Sequence, residues 1–307
     1  MNDQLDTRRI LIFLILAFGI AWAASLAVYL TGGLANSPVL IPNTPVTLAF
    51  VLLVFPVMWS PALAHILTRL ITREGWRDTA LRPNFRRGWK YWLAAWFAPG
   101  ILTILGGVFF FFVFPQFFDG SLSTLKKMME QSGQTLPLDP WVIVVIQTLQ
   151  AFLISPLINS FATFGEEFGW RSYLQQKLLP MGARKMMIVM GVIWGVWHSP
   201  VILMGHNYGF DYPGAPFLGP LAMVWFCFVV GTFLGWAALR GGSVWPAVIG
   251  HSAINGIAGL ATFFVQGKPP SILGPLPVGF VGSIGFSIVA ILILISLKDQ
   301  PTPEATT

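Results

Sequence analysis

Eight apolar stretches of bilayer-spanning length take up most of this chain. They lie near residues 10–30, 46–71, 90–114, 141–165, 185–205, 218–239, 244–266 and 276–297. A transmembrane helix needs about 20 predominantly apolar residues. Few other architectures suit such a chain, because lipid-embedded backbone must satisfy its hydrogen bonds within helices or a closed barrel. The composition agrees, with 55% hydrophobic and 10% charged residues, against about 25% charged in soluble domains. The expectation is an all-α, polytopic membrane protein of about eight transmembrane helices, with 1–307 forming a single integral membrane domain. The first run, ILIFLILAFGIAWAASLAVYL, reads as a spanning helix and not as a cleaved signal peptide. The polar end, about 299–307, reads as a disordered tail.

The net charge of +6 invites a nucleic-acid reading, but the placement of the charges argues against one. With the N-terminus inside, the inner segments hold Arg8, Arg9, Arg69, Arg73, Arg77, Arg82, Arg86, Arg87, Lys90, Arg171, Lys177, Arg184, Lys185, Arg240 and Lys298. Only Lys126, Lys127 and Lys268 fall outside. This bias fits an even number of spans with both termini cytoplasmic in a multi-pass protein of the cell membrane. The cations face anionic headgroups, so the expected partners are the lipid bilayer and no nucleic acid. FRRGWKYW, just before the third span, has the look of an interfacial belt. The outer segment LSTLKKMMEQSGQTLPLDP reads as a short interfacial helix followed by a turn. Cys227 is the single cysteine; it excludes a disulfide within the chain and is expected only to pack.

Prolines 56, 61, 99, 156, 200 and 246 fall in or beside spans and should kink helices and free carbonyls. Gly191 with Gly195, and Gly231 with Gly235, are spaced for close helix crossing. Few strongly polar side chains remain at membrane depth: Asn159, Glu166, Glu167, Arg171, His198, His251 and Asn255, with His65 and His206 nearer the ends of spans. Polar groups there cost several kcal/mol, so their default reading is functional.

Helical spacing separates the two glutamates of FGEEFGWRSYL. Glu167 and Arg171 are i and i+4 in the favourable order and can neutralise each other. Glu166 points about 100° away without a sequence-local partner, which suits a general base that later serves as acid. A purely structural Glu–Arg clip would show the same spacing. His198 follows Trp194 by one turn and precedes Pro200, which puts it in an aromatic wall near a helix break. His251 and Asn255 share one helix face among small residues and could donate to an oxyanion or simply bond across helices. Counting rise per residue puts Glu166 nearer the cytoplasmic edge than either histidine, unless a kink at Pro156 or a tilted span moves it deeper. His206, in MGHNYGFDYPG, is left open between lining an outer loop and bonding within it. There is no His-Glu-x-x-His motif, no rhomboid-type Gly-x-Ser-Gly, no presenilin-type Gly-x-Gly-Asp and no nucleophile elbow.

Taken in order, Glu166-Glu167-x-x-x-Arg171, Trp194-x-x-x-His198 and His251-x-x-x-Asn255 resemble the motifs of the CPBP family of intramembrane proteases. That family contains the type II CAAX prenyl endopeptidases and bacterial Abi-type proteins. The resemblance spans about residues 141–266, the motif-bearing core; nothing before residue 140 matches. The CAAX enzymes usually have Phe where this chain has Trp194. The resemblance implies a cytoplasm-facing catalytic cavity and peptide-bond hydrolysis of a peptide or membrane-protein substrate. It gives Glu166 and His198 the activation of water, His251 and Asn255 the oxyanion, and Glu167 with Arg171 a supporting role. Many relatives are labelled metalloproteases, and Glu166, His198 and His251 would make a three-ligand site for a divalent metal such as zinc. No cofactor is the preferred reading, since a Glu–His pair activates water by itself. The rival functions are a non-catalytic peptide-binding protein, as in bacteriocin immunity or scaffolding, and a proton-coupled transporter. Against the transporter, no inverted repeat is evident.

Overall fold

The computed structural model describes residues 5–131 and 139–297. The turn read within the outer segment falls mainly on 132–138, and the tail and Lys298 lie beyond 297; all are outside the described residues. The described residues form fourteen α-helical pieces and no strand. In order these are α1 (Thr7–Leu30), α2 (Leu48–Leu52), α3 (Met58–Thr72), α4 (Phe85–Val113), α5 (Ser123–Gln131), α6 (Pro140–Leu153) and α7 (Ser155–Ile158), then α8 (Ser160–Gly169), α9 (Gln175–Leu178), α10 (Ala183–Trp197), α11 (Ser199–Leu203), α12 (Leu218–Gly241), α13 (Trp245–Ile257) and α14 (Ile284–Ser296). Five continuous helical stretches are long and apolar enough to cross a bilayer: Thr7–Leu30, Leu48–Thr72, Phe85–Val113, Leu218–Gly241 and Trp245–Phe264. Pro140–Leu153 and Ile284–Ser296 are shorter apolar helices. The expected all-α polytopic class is therefore what the chain forms.

Two of the expected spans are interrupted, and proline chemistry accounts for the breaks. The stretch 141–165 is not one helix. α6 stops at Leu153, α7 is a single turn, and α8 starts afresh at Ser160. Pro156 cannot donate to the carbonyl of Phe152 and its ring crowds that carbonyl. The indole of Trp96 donates to it instead, at 2.6 Å. In the fifth run α10 ends at Trp197 and α11 begins at Ser199, with Pro200 in its first turn. Pro56 lies within a π-helical segment, Leu53–Val57, that joins α2 to α3. Pro61 and Pro99, by contrast, sit inside continuous helices. FRRGWKYW forms the first turns of α4 itself rather than a segment ahead of it, with Phe85 and Trp89 exposed as a belt requires. α5 is the expected short helix; Asp119 accepts from the amides and hydroxyls of Ser121 and Ser123 ahead of it. These bonds, the Ser121 hydroxyl foremost, hold the Asp119 carboxyl below the usual carboxylate range.

Small residues decide how the helices approach. A Cβ on Gly191 would lie 2.5 Å from the Phe228 Cα, and one on Gly195 would lie 2.4 Å from the Val224 Cα. The spacing read from the sequence therefore does bring α10 against α12. Gly231 and Gly235 do something different: they leave room for side chains. A Cβ there would meet Arg171 Nη2 at 3.3 Å and Gln175 Oε1 at 2.8 Å, respectively. A third pair brackets the two glutamates. Gly165 and Gly169 seat α8 on α3, where a Cβ on Gly169 would fall 2.3 Å from the Pro61 Cβ and 2.4 Å from its carbonyl oxygen. The Gly169→Ala variant is expected to lose about 1–3 kcal/mol or more, because backbone must move to admit the methyl. Thermal unfolding in detergent, compared with Gly259→Ala as a control in open space, measures it.

Candidate active site

Glu166 and Glu167 sit on the last turns of α8, which continues into a π-helical segment, Trp170–Leu174. Such wide turns occur often at functional sites. Both carboxylates and Arg171 are buried. The i, i+4 pair forms as its spacing requires: Arg171 Nη1 donates to Glu167 Oε1 at 2.9 Å. Glu167 has a second partner from another helix. His251 on α13 donates from Nδ1 to the same Oε1 at 2.8 Å. The supporting carboxylate thus also orients the second histidine. Among the described residues, Glu167 Oε2 and Arg171 Nε have no hydrogen-bond partner.

Glu166 points elsewhere, as the helical geometry predicts. Its Oε2 accepts from the indole Nε1 of Trp194, on α10, at 2.8 Å. Trp194 is the hub of the cluster. Its backbone carbonyl accepts from His198 Nδ1 at 2.8 Å. Its ring lies edge-on to His251 with centroids 5.3 Å apart, and the Arg171 guanidinium stacks 4.4 Å from its centroid. A single residue thereby touches Glu166, His198, His251 and Arg171. Carbonyl and carboxylate oxygens only accept, so Nδ1 carries the proton in both histidines. Nε2 is then the free edge of each ring. His198 is half-buried at the junction of α10 and α11, with the Trp197 ring packed edge-on at 4.6 Å.

Glu166, Glu167, Arg171, His198 and His251 are thus brought together. The depth mismatch expected from counting along straight helices disappears, because the break at 154–159 makes α8 a separate helix that enters the bundle on its own course. Asn255 lies one turn beyond His251 on α13; it is exposed and makes no side-chain hydrogen bond among the described residues. Asn159 donates to the Ser252 carbonyl at 3.3 Å, and Thr163 and Ser252 share a hydroxyl bond of 2.7 Å. These polar contacts tie α8 to α13, and only Asn159 among them was singled out from the sequence. Cys227 packs, as expected, but against the site: its Sγ is 3.7 Å from His198 Nδ1. His206 is exposed in the turn after α11.

Among the described residues no three His, Cys, Asp or Glu side chains meet as a group able to hold a metal ion. Glu166, His198 and His251 do not form such a group.

Fold and site together define a multi-pass membrane protein with carboxylates, histidines and an arginine gathered between its helices. Residues 141–257 match the family model described as type II CAAX prenyl endopeptidase Rce1-like. The match bears out the resemblance to the CPBP intramembrane proteases and supports an endopeptidase of the CAAX-protease-like type. No curated protein matches the chain.

Proposed function

We propose that this protein is an intramembrane endopeptidase that cleaves a peptide bond with a water activated jointly by Glu166 and His198. One observation carries the reading: Trp194 orients both groups, donating to Glu166 Oε2 and accepting from His198 Nδ1. Glu166 Oε1 and His198 Nε2 are left as acceptors for a single water. That water gives up a proton as its oxygen bonds to the scissile carbonyl carbon. His251, held by Glu167, and Asn255 donate to the resulting oxyanion. In donating from Nε2 the His251 ring is doubly protonated, and its charge lies against the Glu167 carboxylate. Collapse breaks the C–N bond, and the leaving nitrogen takes the proton held by the Glu166–His198 pair. The products are a carboxylic acid and an amine. No step needs a metal ion.

The substrate is a peptide, a membrane-protein terminus or a small toxin, and it need not be prenylated. The distribution of loop charges supports cytoplasmic termini and a site that opens toward the cytoplasm. Purified protein incubated with a membrane-peptide pool should generate new amino termini. A variant lacking Glu166, His198, His251 and Asn255 that generates the same termini would overturn the proposal and leave a peptide-binding role.

Trp194 offers a sharper test of the geometry. Phenylalanine keeps the ring but removes the donor to Glu166. Trp194→Phe is expected to lower kcat about tenfold, the size of one lost buried hydrogen bond to a charged group. Steady-state kinetics should show KM changed by less than about twofold, since the indole N–H bonds to the catalytic carboxylate and not to substrate.

A further inference from the structure

His65 lies on α3, outside the matched segment, and takes no part in the chemistry above. It is fully buried. Its Nδ1 bonds to the carbonyl of Phe168 at 2.8 Å, and its Nε2 receives the Nε–H of Arg69 at 2.6 Å. Arginine only donates and a carbonyl only accepts, so both bonds require one species: neutral imidazole with its proton on Nδ1. Phe168 is the residue after Glu167, and its carbonyl comes just before the hydrogen-bond register widens into the π segment that contains Arg171.

The other end of this connection is equally fixed. Arg69 is buried and reaches back to the loop after α3. Its Nη2 pairs with Asp78 Oδ1 at 2.8 Å, its Nη1 bonds the Gly75 carbonyl, and its guanidinium lies 5.5 Å from the Trp76 ring centroid. The same loop holds the π segment and α9 from outside: the Ser172 hydroxyl bonds the Thr79 carbonyl, Tyr173 OH donates to Glu74 Oε2 at 3.1 Å, and Lys177 pairs with Glu74. A loop that only needed anchoring would be held by these ties alone. A buried imidazole donating to the backbone beside the two glutamates adds something else, a fixed angle for that turn.

We infer that His65, held by Arg69, is a positioning residue that sets the π turn after Glu167 and thereby the orientation of Glu166, Glu167 and Arg171. The inference rests on the proposed peptidase reading for its kinetic consequence but not for its structural one. Three variants separate the two halves of the imidazole. Asparagine places an N–H close to the Nδ1 position, so His65→Asn keeps the donor to Phe168. Glutamine reaches the Nε2 position, so His65→Gln keeps the contact with Arg69 and loses the donor. His65→Leu loses both.

Amide hydrogen exchange of residues 169–175 in detergent, with peptide turnover measured on the same preparations, tests this. Exchange should rise about tenfold in His65→Leu and His65→Gln and stay near wild type in His65→Asn. The value of kcat should fall in parallel, with KM unchanged. Wild-type exchange and kcat in His65→Gln, or equal losses in His65→Asn and His65→Gln, would overturn the inference. Should His65→Leu fail to fold, the Asn and Gln pair still decides. If the wild type cleaves no peptide, the peptidase reading fails, and the exchange comparison alone still decides the role of His65.

Discussion

A Glu166→Gln variant is expected to fold and insert like the wild type and to turn over peptide about 10³-fold more slowly, within the range for loss of a general base. The amide matches the carboxylate in shape, and its oxygen can still accept from Trp194 Nε1, now 2.8 Å from Oε2. Packing around this buried position is therefore kept, and only the ability to take a proton from water is lost. His198→Ala should cost activity on a similar scale, because Nε2 is the other acceptor in the pair. Detergent-solubilised yield, gel-filtration profile and thermal midpoint should match the wild type in Glu166→Gln. Turnover within a few-fold of wild type would show that Glu166 is not the base.

The neighbouring residue should behave in the opposite way. Glu167→Ala is expected to destabilise the protein by about 3–5 kcal/mol, the cost of leaving a buried charge without its partner. Glu167 Oε1 receives both Arg171 Nη1 and His251 Nδ1, and none of the three groups is open to solvent. Truncation leaves the guanidinium stacked on Trp194 without the carboxylate it bonds to and leaves His251 free to turn. Glu167→Gln retains an acceptor without the charge and should be destabilised less. Thermal unfolding in detergent measures both. Two adjacent glutamates then separate cleanly, with one variant folded and inactive and the other unstable. A Glu167→Ala protein as stable as wild type would contradict the role given to the ion pair.

Much of this was legible because it depends on local rules. Bilayer-length apolar runs become helices, the i, i+4 pair at Glu167 and Arg171 closes, and Gly191 with Gly195 admits α12. The break at His198 and Pro200 also follows from proline chemistry. What the sequence could not show depends on which groups meet in three dimensions. Trp194 reads as part of an aromatic wall, and only the path of α8 reveals that its N–H serves Glu166. The straight-helix depth count misplaced Glu166 because Pro156 splits the fourth apolar run and Trp96 satisfies the freed carbonyl. The Gly165–Gly169 pair was hidden behind the charges it flanks. His65 looked like a polar residue near the end of a span, and its partners Phe168 and Arg69 become visible together only when α3 lies on α8.

The central claim is that Glu166 activates water for peptide hydrolysis without a metal ion. The most direct measurement compares new amino termini released from a membrane-peptide pool by wild type and Glu166→Gln, each with and without a strong chelator. The account predicts one set of termini from wild type in both conditions and none from Glu166→Gln in either. Normal cleavage by Glu166→Gln, or wild-type cleavage that stops with chelator and returns with added zinc, would contradict it.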